Sequence, residues 1–400
     1  MRFNTVKTDM GSALERLRRS RESGRRAPVV LASIHRALLC AIVLIVAQPL
    51  ARSESARGCS TVNSRAVQLD DGAWVLMRED GKILTSERYC GGDEYSDGLI
   101  RFELCGSDGP NRSTYLTPEG RKLLSVGWPS AAGFSEGLAA VENDKGLWGY
   151  MNKQGEVVVA PQFEEATPFS EGLAAVEVDG KWRYIDTKGA TVLAPRPKRG
   201  EVFFAYEFKS GVALILVEVD DGETPDLKGV IDHSGRWIVN LTPAIAGEFG
   251  NGLAPFWFES NRKMGFIDPA GRTVIKPYFT GNALLPFEEG LAAVYVGERP
   301  GMHAGFIDRH GRWVIPPTFD DANDFCGGLA TVRVKDLWGF VDNKGRMAIA
   351  PKYDHAESFD GGIAEVYEKD QSGVLRRELI NRQGSVLYRS SEEARFVTFH

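Results

Sequence analysis

The side chains best suited to chemistry are six histidines and a series of regularly spaced carboxylates. The histidines are His35, His233, His303, His310, His355 and His400. No two of them are four residues apart, the spacing at which a helix presents two metal ligands. This spacing favours solvent-exposed turns for His233 and His310 over metal binding or base catalysis.

The carboxylates begin a repeated Asp-x-x-Gly phrase. They are Asp186, Asp232, Asp268, Asp308 and Asp342. The phrase lacks the dense alternating oxygens of a calcium loop, whereas an aspartate that opens a turn can accept backbone hydrogen bonds. No phosphate-binding loop and no dinucleotide fingerprint occurs either. We therefore expect turn caps, no metal, no cofactor and no catalytic residue, so that the chain is not an enzyme.

Aromatic side chains are a second source of binding chemistry. Most of the 21 Phe and 8 Trp fall at repeated positions, such as Phe134, Phe169 and Phe325, and we expect these to join neighbouring units. Four aromatics lie outside the shared pattern, namely Trp237, Trp257, Phe258 and Trp313. These four are the ligand-binding candidates, with burial in the core as the alternative.

The cysteines predict one disulfide. They are Cys40, Cys59, Cys90, Cys105 and Cys326. Three of them cluster before the regular repeats, and in an exported protein such a cluster can hold a disulfide. We favour Cys90 with Cys105, because a strand-like run and a turn between them would let the sulfurs meet. Unpaired thiols in a cytosolic chain are the alternative, and no Cys-x-x-Cys of a zinc site occurs.

The N-terminal residues resemble a secretory signal. An arginine-rich stretch over residues 1–36 precedes an apolar run from Ala37 to Ala47 and a small residue at Ala51. The run is shorter than the roughly 20 residues of a transmembrane helix. We therefore assign residues 1–58 to a signal peptide or anchor plus linker. The product would be periplasmic or secreted, with anchoring in the inner membrane by residues 37–50 as the alternative.

Removal of the leader makes the remaining chain acidic. Residues 1–51 hold nine Lys and Arg and three Asp and Glu, which leaves 39 basic and 51 acidic side chains in the other 349 residues, a net charge of −12. Affinity for phosphate backbones comes largely from clustered Lys and Arg. We therefore expect no nucleic-acid partner.

A repeated phrase fixes the architecture that positions these residues. Its glycine recurs at Gly137, Gly172, Gly211, Gly252, Gly290, Gly328 and Gly362, in steps of 34 to 41 residues. Within each unit the apolar residues alternate over short runs bounded by Gly, Pro, Asp and Asn, which predicts strands. We expect an all-β tandem array of about seven to nine three-stranded units, open and twisted like a solenoid. A closed propeller-like ring is the alternative. We favour the open array because propeller blades usually need four strands and each unit offers three.

The repeats fall into three parts. Residues 59–129 contain degenerate copies together with the cysteine cluster, residues 130–389 contain the regular units, and residues 390–400 form a tail without a repeat. Atypical terminal units are expected because they must present a polar outer face.

The regular units resemble the WG-repeat family, named for the pair that opens the middle strand. The pair is intact at Trp148-Gly149 and Trp338-Gly339, and the similarity covers about two thirds of the chain. The resemblance implies a bacterial envelope or secreted repeat protein whose biochemical role is mostly undefined.

Two functions follow as expectations. The first is an exported, non-catalytic scaffold that binds a protein or an envelope glycan, as repeat arrays commonly do. The membrane would be contacted only through an uncleaved N-terminal segment. The alternative is a propeller-like enzyme with a site in the irregular insertion over residues 195–225.

Overall fold

All regular elements of the described chain are β-strands. The computed structural model describes residues 62–393 except 106–111, 220–226, 243, 245–246, 259–262, 281–285 and 299–300, together with the backbone alone of Glu94 and Phe258. The leader assigned to residues 1–58 lies outside these ranges, and within them no helix has the length and apolarity to cross a membrane.

The strands form one two-stranded sheet and eight blades of three or four antiparallel strands. The N-terminal sheet contains β1 (Ser64–Gln68) and β2 (Trp74–Arg78). Blade 1 contains β3 (Gly91–Ser96), β4 (Leu99–Leu104), β5 (Arg112–Leu116) and β6 (Lys122–Ser125), and blade 2 contains β7 (Ser130–Ala131), β8 (Leu138–Glu142), β9 (Trp148–Asn152) and β10 (Val157–Phe163). Blade 3 contains β11 (Glu165–Ala166), β12 (Ala174–Val178), β13 (Lys181–Ile185) and β14 (Thr191–Leu193), and blade 4 contains β15 (Glu201–Ala205), β16 (Val212–Glu218), β17 (Leu227–Asp232) and β18 (Trp237–Thr242).

The remaining four blades follow in chain order. Blade 5 contains β19 (Ala254–Phe258), β20 (Lys263–Ile267) and β21 (Thr273–Phe279), and blade 6 contains β22 (Leu291–Val296), β23 (His303–Asp308) and β24 (Trp313–Phe319). Blade 7 contains β25 (Asp321–Cys326), β26 (Leu329–Val334), β27 (Leu337–Asp342) and β28 (Met347–Tyr353), and blade 8 contains β29 (His355–Ala356), β30 (Ile363–Lys369), β31 (Leu375–Asn381) and β32 (Val386–Glu393).

The Asp-x-x-Gly phrase forms the turn between the last two strands of a blade. In blade 3 the Asp186 Oδ1 atom accepts hydrogen bonds from the backbone N–H groups of Lys188 and Ala190, both at 2.9 Å. Gly189 ends the turn at a φ of 83°, a region that favours glycine. The predicted role of these aspartates as turn caps is therefore confirmed.

The expectation of three strands per unit was wrong, because a short first strand precedes them in most blades. This strand has only two residues in β7, β11 and β29. Two residues are too few to show an alternating apolar pattern, so the strand is invisible to periodicity. Four antiparallel strands are the composition of a propeller blade.

The sheets form a closed ring. Nine apolar clusters each join two consecutive sheets, as Tyr150 of blade 2 and Val176 of blade 3 do. The N-terminal sheet packs on blade 1 through Leu76 and on blade 8 through Val75. The expected open array is therefore wrong and the alternative of a propeller-like ring is correct. An open array would leave the apolar faces of its two end sheets in water.

Polar contacts also close the ring, between residues more than 300 positions apart. The Asp70 carboxylate accepts hydrogen bonds from the backbone N–H and the hydroxyl of Ser391, both at 2.7 Å. Arg377 donates to the backbone carbonyl of Gln68 at 2.8 Å. Residues 390–393, which the sequence placed in a tail, therefore lie in β32 and take part in closure.

Cys90 and Cys105 form a disulfide in blade 1. Their Cα atoms lie 5.2 Å apart, within the usual range for this bond. The bond links the start of β3 to the end of β4, so it holds together the first two strands of blade 1.

Candidate functional site

The turn between the first and second strands of a blade, here called the first turn, links that blade to the next one. In blade 2 the Glu136 carboxylate accepts hydrogen bonds from the N–H groups of Glu171 and Gly172, at 2.7 and 2.9 Å. Ser135 donates to the carbonyl of Phe169 at 2.6 Å. We call the boundary between two consecutive blades a seam. The Ser and Glu of the repeated phrase therefore make contacts across the seam as well as forming the turn.

In six blades the repeated phenylalanine packs against an aromatic side chain of the preceding blade. Phe169 meets Tyr150 edge-on with ring centroids 4.7 Å apart, and Phe208 meets Tyr184 at 4.8 Å. Both phenylalanines are fully buried. The predicted role of the repeated Phe residues in joining neighbouring units is confirmed at these seams.

Both residues of the Ser-Glu pair are replaced in blades 4, 5, 7 and 8. Lys209-Ser210 occupies these positions in blade 4, Gly250-Asn251 in blade 5, Cys326-Gly327 in blade 7 and Asp360-Gly361 in blade 8. Asn251 still makes a contact to the next blade, because its Nδ2 donates to the carbonyl of Phe287. Lys209 instead pairs with Glu248, so the search for a site narrows to the first turns of blades 4 and 5.

Charges in the first turn of blade 4 act on groups in blades that are not its neighbours. Burial chiefly, and then the Glu207 charge of blade 4, raises the pKa of the Tyr150 phenol in blade 2. Burial also raises the pKa of Glu288 in blade 6, and Lys209 of blade 4 opposes this effect.

A pocket lies at the junction of blades 4 and 5. It is a small, partly open cleft with room for about one water molecule, and it is lined by Tyr206, Glu207, Lys209, Val212, Leu214, Glu248 and Phe249. Lys209 Nζ donates to Glu248 Oε2 at 2.7 Å, and these side chains are only 32% and 18% exposed. The cleft therefore joins an ion pair to apolar walls.

The carboxyl groups of Glu207, Glu288 and Asp324 have raised pKa values, so they are protonated more readily than usual. Burial raises the pKa of Glu207, against the opposing effects of its own backbone N–H and of Lys209. Burial and then the Glu288 charge raise the pKa of Asp324 to about 7. The Oδ1 atom of Asp324 is buried and has no hydrogen-bond partner among the described residues. Perturbed carboxyl groups in a cleft mark candidate functional positions.

The aromatic candidates from the sequence do not line this pocket. Trp237 begins β18, donates to the carbonyl of Arg196 at 3.1 Å and covers Gly229 with its ring. Trp257 packs against the core between blades 5 and 6. Trp313 begins β24 on the outer side of blade 6, is 37% exposed and meets Phe279 edge-on at 5.9 Å. Only the backbone of Phe258, the last residue of β19, is described.

The histidines of the turns have different surroundings. His233 stacks on Phe208 at 4.2 Å, and its Nε2 lies 3.4 Å from a Glu171 carboxylate oxygen across the seam. His310 is 77% exposed beside Asp308. Among the described residues no group of three His, Cys, Asp or Glu side chains could hold a metal ion.

One motif in the repeated phrase has the spelling of a hydrolase nucleophile. Gly133-Phe-Ser-Glu-Gly137 matches Gly-x-Ser-x-Gly, which in hydrolases lies between a strand and a helix. Here the segment joins β7 to β8, and the Ser135 hydroxyl is engaged at the seam. The motif is therefore structural.

Sequence reasoning missed Glu207, Lys209 and Glu248 as site residues. Two of them fall within the insertion over residues 195–225 that the sequence marked as irregular. Their signal was positional, since Glu207 and Glu248 precede the repeated Phe and Lys209 follows it. Blades 2 and 3 have Gly133 and Pro168 before that Phe, and blade 7 has Asp324.

Comparison with known proteins agrees with this architecture. The family described as WG containing repeat matches residues 148–182, 264–299, 305–338 and 338–370. No curated protein sequence is a significant match to the chain.

Solved structures are similar in fold at low identity. A structure titled as the eukaryotic initiation factor is 12% identical, covers 84% of this chain and 96% of its own, and has a TM-score of 0.55. BamB from Moraxella catarrhalis is 11% identical, with coverage of 87% and 96% and a TM-score of 0.35. The first of these similarities concerns the fold alone.

Proposed function

Because the chain is a WG-repeat protein folded as a β-propeller, we propose that it is an exported, non-catalytic scaffold that binds a protein or a cell-envelope polymer. One observation supports this most directly. The first turns of blades 2 and 3 make the same contacts to the next blade, and the residues that make them are replaced in blade 4, beside a small cleft at the junction of blades 4 and 5. A closed ring whose blades differ at such positions suits binding.

The outer aromatics give this proposal a second surface. Trp313 is 37% exposed, and Tyr278 is 63% exposed next to Phe279, at a centroid distance of 5.7 Å. Exposed aromatic rings supply apolar contact area at low conformational cost. The scaffold proposal does not require this surface. Retention by variants of the outer aromatics can therefore be compared with retention by variants of the pocket residues.

A retention experiment tests the proposal. The exported protein is immobilised and exposed to envelope extracts, either untreated or treated with a protease or with a glycan hydrolase. We expect retained material that disappears after one of the two treatments, which identifies the class of partner. Trp237→Ala and Trp313→Ala serve as aromatic variants for comparison. An empty column with every extract contradicts the proposal.

A second candidate function is hydrolysis by the pocket carboxyl groups. Burial raises the pKa of Glu207, while nearby Glu248 is paired with Lys209 at 2.7 Å. Two carboxyl groups in unlike environments can act as acid and base. Release of reducing ends from envelope glycan, abolished by both Glu207→Gln and Glu248→Gln, would support this function. Retention without product release would exclude it in favour of the scaffold.

A further inference from the structure

The first turn of blade 7 carries a cysteine at a position where other blades carry a serine. Cys326 corresponds to Ser135 in blade 2 and to Ser170 in blade 3. It is only 7% exposed, and its sulfur is disulfide-bonded. The first turn of blade 7 is therefore joined covalently to another part of the chain.

The remaining cysteines leave two candidates for the partner of Cys326. Cys90 and Cys105 bond to each other in blade 1. The chain contains two further cysteines, Cys40 and Cys59, and both lie outside the described residues. The partner is one of these two.

The repeat directs the side chain of Cys326 towards the next blade. At the equivalent position in blade 3, the Ser170 hydroxyl donates to the Phe208 carbonyl of blade 4 at 2.6 Å. Ser135 makes the same contact from blade 2 to blade 3. By this relationship the sulfur of Cys326 points across the seam to the first turn of blade 8.

The described chain begins beside that same turn. A Cβ atom placed on Gly361, in the first turn of blade 8, would be 2.3 Å from the Ser64 carbonyl oxygen, so the two backbones are in contact. The Arg65 Nε atom lies 3.7 Å from a carboxylate oxygen of Asp360 in the same turn. Cys59 precedes Ser64 by five residues, and an extended chain of that length spans roughly 17 Å. Cys59 is therefore within reach of the seam between blades 7 and 8.

Cys40 fits this position poorly. It lies within the apolar run from Ala37 to Ala47. A signal peptide is removed on export, and an uncleaved anchor holds this run in the membrane. In both cases the thiol of Cys40 is kept away from the first turn of blade 7.

We propose that Cys59 and Cys326 form a second disulfide, which ties the segment before the N-terminal sheet to blade 7. The two thiols lose two protons and two electrons as the S–S bond forms. A disulfide oxidant, either oxidised glutathione or a thiol–disulfide oxidoreductase, takes up both and is reduced to two thiols. The scaffold proposal places the chain in an oxidising compartment, where such a bond persists, but the pairing itself can be tested without export.

The proposed bond crosses the part of the ring where the two ends of the chain meet. Its ends lie more than 260 positions apart in the sequence, and a cross-link that closes a long loop strongly restricts the unfolded chain. Closure otherwise depends on apolar packing and on hydrogen bonds such as that from Ser391 to Asp70. The second disulfide would make this closure covalent.

Peptide mapping tests the pairing. The purified full chain is oxidised in glutathione buffer, its free thiols are blocked with iodoacetamide in urea, and it is digested without reductant. We expect linked peptides that contain Cys59 and Cys326, with neither residue alkylated, and the Cys90–Cys105 pair in the same digest serves as the internal control. Alkylated Cys326, a link from Cys326 to another cysteine, or a Cys59–Cys326 link found only in dimers on a non-reducing gel overturns the proposal.

Matched variants test the effect on closure. Cys326→Ser introduces the residue that blades 2 and 3 have at this position, so the turn itself should tolerate it. In oxidising buffer, Cys326→Ser, Cys59→Ser and the double variant should lower the urea midpoint by the same amount, roughly 1 M. In reductant, all three should unfold together with the wild type.

Two outcomes of the urea experiment contradict the proposal. One is an equal midpoint for the wild type and Cys59→Ser in oxidising buffer. The other is a double variant that loses the sum of the two single effects, because independent sites add whereas the two ends of one bond do not. Retention of envelope material enters neither measurement, so the disulfide can fail while the scaffold function stands, and the reverse.

Discussion

Gly149 lies directly beneath Pro161 of the outer strand. A Cβ atom placed on Gly149 would be 2.6 Å from the Pro161 nitrogen and 2.5 Å from the Val159 carbonyl oxygen. The same arrangement recurs between Gly305 and Pro317, where the distance to the proline nitrogen is 2.7 Å. The glycine of the Trp-Gly pair is therefore required where a proline-containing outer strand crosses over the middle strand.

This crossing predicts the cost of a small substitution. Gly149→Ala should lower the free energy of unfolding by about 1–3 kcal/mol, because the obstructing atoms are backbone and cannot rotate away. The measurement is the shift in urea midpoint at constant slope. Arg183→Ala is the matched control, since Arg183 has the same strand position in blade 3 and β14 ends at Leu193. An unchanged midpoint for Gly149→Ala contradicts the explanation.

A second prediction concerns the seam carboxylate of blade 2. Glu136→Ala removes two charge-assisted hydrogen bonds to the first turn of blade 3 and should cost about 1–2 kcal/mol of unfolding free energy. Hydrogen exchange at Glu171 and Gly172 should speed up more than elsewhere. Asp144→Ala, at an exposed turn position, serves as control. An equal increase in hydrogen-exchange rate in all blades would contradict a local contact between blades 2 and 3.

The disulfide of blade 1 can be tested by removal. Cys90→Ser with Cys105→Ser opens a loop of sequence separation 15 and should cost about 3 kcal/mol. Peptide mapping without reductant checks the pairing, and unfolding by urea with and without reductant checks the energy. A mapped peptide with both thiols free, or equal midpoints in the two conditions, would contradict the assignment.

The Asp324 carboxyl predicts a pH dependence with a definite sign. Its pKa is about 7 in the folded protein, through burial and the Glu288 charge, and about 4 when unfolded. The folded state therefore binds the proton more tightly, so its stabilising contribution is present below pH 4 and is lost as pH rises towards 7. Asp324→Asn should gain stability over the wild type at pH 8, by at least about 1 kcal/mol, and should lose this advantage at pH 4.

The control for this titration is Asp336→Asn, whose side chain is 99% exposed. It should shift the unfolding midpoint equally at both pH values. An Asp324→Asn variant that behaves in the same way would show that Asp324 titrates normally.

The sequence predicted the β-repeats and the turn caps, because each is a local pattern that recurs several times. It could not give the ring, since closure depends on contacts such as that between Asp70 and Ser391, which no local pattern encodes. It also treated the described outer aromatics as the binding candidates because they break the pattern by residue type. Glu207 and Lys209 stand at positions whose importance becomes visible only when the fold brings them together with Glu248.

The seam between the N-terminal sheet and blade 8 has the same kind of apolar cluster as the seams between consecutive blades. The order of blades around the ring is therefore independent of where the polypeptide is cut. A circularly permuted gene that joins residue 393 to residue 62 through a flexible linker and begins in the connection between β6 and β7 would encode the same ring. Such a rearranged chain could carry a fused reporter at a new point on the circumference without disturbing the pocket.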